Sequence, residues 1–244
     1  SLPVITISVS GTGTELAPAL MLPHAESAQP ICLSGPELFP RAAFFDYRYA
    51  RRVSLDTLVS TVFCAIGNAV DVSLSEESSK FARAISQESL ANTGAILSGL
   101  SEDQVDNSIL QMLQYDAVLA GIAAAQIPLR VLYEVSSCLA RMWQIPRGHA
   151  AGLLLIPYFQ HAEKKKPYVT DTVLAAMGLQ APSTLQQKIS LLIVNRLDMP
   201  KPLLQERLAA MELPPYLTSR MAGMLSQQEL QSLAAQTMEA LLEI

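Results

Sequence analysis

The stretch Ala120–Ala162 reads AGIAAAQIPLRVLYEVSSCLARMWQIPRGHAAGLLLIPYFQHA, and its punctuation sets the architecture. Apolar residues recur at helical spacing up to Gln126, again over Leu129–Trp143, and again from Pro146 to about Glu163. Pro146 suits a first helical turn, because the N–H that proline lacks would be unpaired there anyway. Leu153–Phe159 is apolar but too short to cross a bilayer and reads as a buried helix.

Working outward, the same periodicity continues on both sides. Upstream, Leu55, Leu58, Val59, Val62, Phe63 and Ile66 mark a helix opened by Ser54 as N-cap. Further helices are predicted over Glu76–Ser98 and Asp103–Gln126. Downstream they fall near Val169–Met177, Thr184–Asn195, Pro202–Met211, Pro215–Met224 and Gln227–Leu242. The last carries Leu230, Leu233, Ala234, Leu241 and Leu242 as a core-facing stripe. Before Ser54 the character differs. Pro3–Val9 is β-branched and reads as a buried strand running into the turn Ser10–Glu15. Residues 17–53 read as irregular chain with one or two short strands, around Pro30–Leu33 and Ala42–Phe45. The expected fold is mainly α: an entry segment over 1–53 and an all-helical domain over 54–244.

The totals narrow the function. Of 244 residues, 50% are hydrophobic and 16% charged, enough for a real core. The net charge of −5 and the lack of a basic stripe argue against nucleic acid. Lys164–Lys166 reads as a solvated helix end. Cys32, Cys64 and Cys138 form no CxxC pair and fit free thiols in the reducing cytoplasm. The N-terminus lacks a signal peptide's charged and apolar regions, and no membrane partner is expected.

Three blocks together resemble the iron-containing (group III) alcohol dehydrogenases. Thr6–Glu15 (TISVSGTGTE) is similar to the family's I-P-T-T-A-G-T-G-S-E. Leu38–Asp71 resembles a P-x-x-x-x-x-D-P-x-L segment followed by D-A-L-x-H-A-I-E. The opening stretch resembles a helix of the form AG-(I/L)-A-x-x-N-x-x-L-x-x-x-H-x-x-x-H, with a P-H-G turn after it. The resemblance implies the helical, metal-binding domain of that family. It also implies a cofactor contact at Gly11, Thr12, Gly13 and Thr14, where glycines would let backbone N–H groups approach a phosphate. A plain strand-to-helix turn is the other reading of these four residues. The family's Gly-rich dinucleotide turn has no counterpart, so NAD(P) is expected only if a nucleotide domain lies upstream.

The resemblance also locates four metal-ligand positions, and the residues there are wrong for a metal. The family uses an Asp and a His four residues apart on one helix face, plus two more His. The corresponding residues are Cys64, Asn68, Tyr133 and Arg147, with Ser137 in place of a further histidine. Iron or zinc needs imidazole, carboxylate or thiolate donors. Arginine has no lone pair to give and is always charged. No metal and no catalytic residue is therefore expected. Arg147 is expected either to replace the ion electrostatically, taking Asn68, Tyr133 and a carboxylate such as Asp71 or Glu134 as partners, or to point into solvent. His149 and His161 are expected to be ordinary hydrogen-bonded histidines; His24 lies far off in sequence.

Two functions remain open. One is a degenerate dehydrogenase-like domain (a pseudoenzyme) with a structural, regulatory or protein-interaction role. It would belong to a larger protein, a complex or a homo-oligomer, and another domain or subunit would cover the edge of Pro3–Val9. The alternative is an NAD(P)-dependent oxidoreductase-like enzyme domain holding a nucleotide or small anion without the usual metal. Thr12, Thr14 and Arg147 would then contact phosphate or carboxylate.

Overall fold

A computed structural model describes residues 5–8, 11–17, 19–22, 31–128, 130–197 and 225–242. Its helices stack around one element, α2 (Leu55–Leu74). From Leu58 to Leu74 only Ser60 and Ser73 escape full burial. A helix this apolar all round must lie inside a protein or a membrane. It is long enough to span a bilayer, but α5 (Asn107–Ala124), α6 (Val131–Trp143) and α7 (Arg147–Glu163) enclose it. Ser54 caps it as expected, its hydroxyl accepting from the Thr57 N–H at 3.2 Å.

The closest approach in this bundle is made by a glycine. A Cβ on Gly148 would lie 1.8 Å from the carbonyl oxygen of Ser60. Only glycine lets α7 seat its first turn on α2, where the Gly148 N–H also donates to Ser60 Oγ at 3.2 Å.

The region predicted as one helix over Glu76–Ser98 is two, α3 (Lys80–Glu88) and α4 (Thr93–Ser101). Ser79 starts the first by accepting from the Ala82 N–H. At its far end, turn-type bonds at Leu90, Ala91 and Thr93 replace the helical ladder and redirect the chain. Two more helices follow, α8 (Val169–Ala176) and α9 (Pro182–Leu192), the latter continued by a 3-10 turn at Val194–Arg196. The last, α10 (Gln227–Leu242), buries Leu230 and Leu233. The helices predicted over Pro202–Met211 and Pro215–Met224 fall outside the described residues, as does His24.

The entry segment is more ordered than its composition suggests. β1 (Ile5–Ser8) pairs in parallel with β4 (Ala42–Phe45), placing Ile7 opposite Phe44. β2 (Ala19–Leu22) and β3 (Ile31–Ser34) form an antiparallel pair. Three strands thus lie in a region expected to hold one or two. A short helix, α1 (Tyr47–Ala50), precedes α2.

The core also holds an acid at the wrong pH for its charge. Asp116 on α5 is 3% exposed, and burial lifts its carboxyl from 3.8 to about 7, against a hydrogen bond from Asn92. A folded-state pKa above the unfolded one adds stability at low pH and loses it as pH rises from about 4 through 7. Asp116→Asn keeps an acceptor for Asn92 and removes the charge. Denaturant melts at two pH values should therefore find the variant more stable by roughly 2 kcal/mol at pH 8 and nearly unchanged at pH 4. An equal effect at both would contradict this assignment.

Candidate functional site

Two helix starts and one turn meet on the flank of α2. The residues that matter are Cys64, Asn68 and Asp71, on one side of that helix at spacings of four and three. Asp71 is 3% exposed, and its two oxygens accept from the N–H groups of Leu132 (2.9 Å) and Tyr133 (3.1 Å). It therefore caps α6 from outside that helix's own sequence. Burial raises this carboxyl to about 7, against the pull of these two bonds and of Arg130.

With α6 fixed, its first residues take their places. Arg130, just before the helix, donates from Nη1 to Asn68 Oδ1 at 3.3 Å, and its guanidinium lies 3.9 Å from the Tyr133 ring centre. The Arg147 guanidinium, from the first turn of α7, lies 4.6 Å from the same centre. One phenol ring thus carries two arginines. Asn68 also donates from Nδ2 to the Thr12 carbonyl at 3.3 Å, tying the entry turn to the bundle. Cys64 is 3% exposed; burial pushes its thiol up, opposed by Arg147 and a Ser60 hydrogen bond. The four positions singled out in the sequence do converge.

The partners of Arg147 differ from the expectation. Asn68 is taken by Arg130, and Asp71 is spent on α6; of the groups named, Arg147 keeps Tyr133. It is half-buried, neither solvent-directed nor ion-paired among the described residues. Arg130 was missed in the sequence. Its signal was a cation at a helix N-terminus, where the dipole disfavours positive charge.

The entry turn is held shut from within. The Glu15 carboxylate accepts from Ser8 Oγ (2.7 Å), the Thr12 N–H (3.1 Å) and Thr12 Oγ1 (3.1 Å). Gly13, at φ +77, lies so close to α5 that a Cβ would sit 2.2 Å from the Ala117 carbonyl oxygen. Of the residues drawn from the resemblance, Thr12 and Gly13 have structural partners of their own. At Thr12 the donors a phosphate would use already face a carboxylate.

Other candidates resolve more simply. Ser137 donates back to the Tyr133 carbonyl at 2.6 Å. His149 is buried, its Nε2 3.3 Å from Asp56 Oδ1, and His161 Nε2 lies 3.6 Å from Glu229 Oε1. Neither Nε2 reaches hydrogen-bond geometry among the described residues, so both meet an acid rather than the ordinary hydrogen bond expected. Lys166 is not merely solvated: it donates to the Leu74 carbonyl at 2.8 Å and caps the end of α2. Cys64 and Cys138 are buried and form no disulfide. Beside Lys166 a cleft of about 320 Å³ is lined by Asp71, Tyr158, His161 and Lys165, with acids and bases in near balance.

A divalent ion does not fit the convergence point. It offers one buried thiol, an amide, a phenol and a guanidinium. No group of three or more His, Cys, Asp or Glu is poised to share an ion among the described residues. A fixed guanidinium also repels a second cation.

No family model and no curated protein sequence matches this chain. Solved structures do. The chain is similar to maleylacetate reductase from Rhizobium sp. strain MTP-10005 (TM-score 0.77, 18% identity, 98% of this chain and 68% of that one). It is similar to a putative alcohol dehydrogenase from Ralstonia eutropha JMP134 (TM-score 0.78, 16% identity, 99% and 68%). It is also similar to an iron-containing alcohol dehydrogenase from Thermotoga maritima (TM-score 0.76, 22% identity, 98% and 64%). The chain has the mainly helical fold found in the C-terminal part of these proteins and spans about two thirds of their length.

Proposed function

We propose that this chain is a metal-free, non-catalytic version of that fold, a helical module of the cytoplasm that holds another protein domain or subunit. The observation carrying the reading is the stack of Arg147 on Tyr133 beside Asn68 and Cys64. These residues stand where the resemblance puts four metal ligands, and their chemistry excludes the ion. Hydride transfer assisted by a metal needs a Lewis acid to polarise the alcohol oxygen, and these side chains cannot position one.

The β1–β4 pair supports the docking half of the reading. Ile5, Ile7 and Phe44 are 59%, 68% and 59% exposed on one side of two parallel strands. Parallel sheets are ordinarily covered on both faces. A second protein layer over these three side chains would bury them.

Elemental analysis of protein purified with iron, zinc and nickel supplied, followed by thermal shifts with NAD(H) and NADP(H), tests the proposal. The expected result is no stoichiometric metal and no dinucleotide shift. Bound metal with alcohol oxidation would overturn it.

A further inference from the structure

The two arginines leave an imbalance that their neighbours do not correct. Arg130 stands at the N-cap of α6 and Arg147 is the first residue of α7, so each adds positive charge to the positive end of a helix. Two guanidiniums share one ring, at 3.9 and 4.6 Å from its centre. The cation–π contact offsets part of their desolvation, but the two charges still repel each other.

The acids facing this point are few. Asp71 spends both oxygens on Leu132 and Tyr133. Glu15 spends its oxygens on Ser8 and Thr12. Glu134, buried on α6, acts on Arg130 through its field. Among the described residues neither guanidinium has a carboxylate within ion-pair distance. No side chain caps α7 either.

We propose that Arg130 and Arg147, braced by Tyr133 and Asn68, form a binding site for a small oxyanion, a phosphate or carboxylate group of a soluble ligand. This rests on the metal-free reading, since a divalent ion there would exclude the arginine side chain. The planar fork of a guanidinium matches both kinds of oxyanion, and two forks from separate helices fix its orientation. Tyr133 sets the separation of the forks. Asn68, through its acceptor oxygen, holds the Arg130 guanidinium against α2. The residues that lost metal chemistry have exchanged a cation that binds a ligand's oxygen for cations that bind an anion directly.

Calorimetric titration of the full chain with inorganic phosphate, pyrophosphate and succinate, each against sodium chloride at matched ionic strength, tests this. Saturable binding at one site per chain is expected, weakened at least tenfold by Arg147→Gln and by Arg130→Gln. Arg147→Lys should retain part of it, because charge survives while the fork is lost. Circular dichroism establishes that each variant is folded. Preference for phosphate or pyrophosphate assigns a phosphoryl ligand; preference for succinate assigns a carboxylate. Absence of saturable binding to wild-type protein would overturn the proposal whatever the variants do, as would both glutamine variants binding like wild type. Repeating the wild-type titration after chelation separates the two readings. Binding that survives EDTA belongs to the arginines, whereas binding that vanishes with a released metal would refute the metal-free reading itself.

Discussion

Gly148→Ala should be the most damaging single-methyl change in the described part of this protein. The added Cβ would meet the Ser60 carbonyl oxygen at 1.8 Å, its carbon at 2.4 Å and its Cα at 2.5 Å. These are backbone atoms inside a buried helix, so no side chain can swing aside. Relief requires α7 to lift from α2, which opens the interface where Phe63 meets Gly152 and Gly67 meets Ala151. Overpacking of this kind costs about 3 kcal/mol or more, because the bundle loses dispersion contacts along the whole crossing. At the usual slope for a chain of this size, the midpoint of thermal unfolding should fall by roughly 10 °C. Gly67→Ala is the control. It lies across the same interface, inside α2, but its Cβ would meet Ala151 at 3.6 Å and Leu132 at 3.9 Å, ordinary contact distances. Alanine's better helix propensity should leave that variant as stable as wild type or slightly more so. Equal melting of the two variants would contradict the close approach at Gly148.

Asp71→Ala should be nearly as costly, for a different reason. The carboxylate satisfies two N–H groups at the start of α6, and alanine leaves both without an acceptor. Losing a helix cap and stranding buried donors together cost about 3 kcal/mol. Asp71→Asn keeps one acceptor oxygen and should lose about 1 kcal/mol, measured by denaturant melts at neutral pH. The pH response runs the other way from a normal acid. Burial holds the folded carboxyl near 7, above its ordinary value of 3.8, so ionising it destabilises the fold. The penalty of the alanine variant should therefore be largest near pH 4 and shrink toward pH 8. A penalty growing with pH would mean that the two N–H bonds outweigh burial and hold Asp71 as a stabilised carboxylate, and the raised value would be wrong.

The long elements were legible in the sequence because their signals are local. Ser54 and Pro146 marked where α2 and α7 begin, and apolar spacing marked their faces. The meeting of Cys64, Asn68, Tyr133 and Arg147 was legible only through motif order, since spacing within one helix cannot say what faces it from another. Asp71 escaped as a cap because its partners lie 61 and 62 residues away. β2 escaped because Ala19–Leu22 is short and follows a proline. The division of Glu76–Ser98 rests on turn-type bonds at Leu90, Ala91 and Thr93, which interrupt an otherwise continuous apolar pattern. The closure of the entry turn by Glu15 is a matter of side-chain reach, which a Gly-Thr-Gly pattern does not encode.

The metal content of two proteins tests the central claim most directly. One is wild type; the other carries Cys64→Asp, Asn68→His, Tyr133→His and Arg147→His together, restoring the donor types that the family resemblance assigns to these positions. Both are purified with iron and zinc supplied and measured by elemental analysis. Only the quadruple variant should hold close to one ion per chain, because the backbone already brings the four positions together and only the donors are missing. Stoichiometric metal on the wild-type chain would contradict the account.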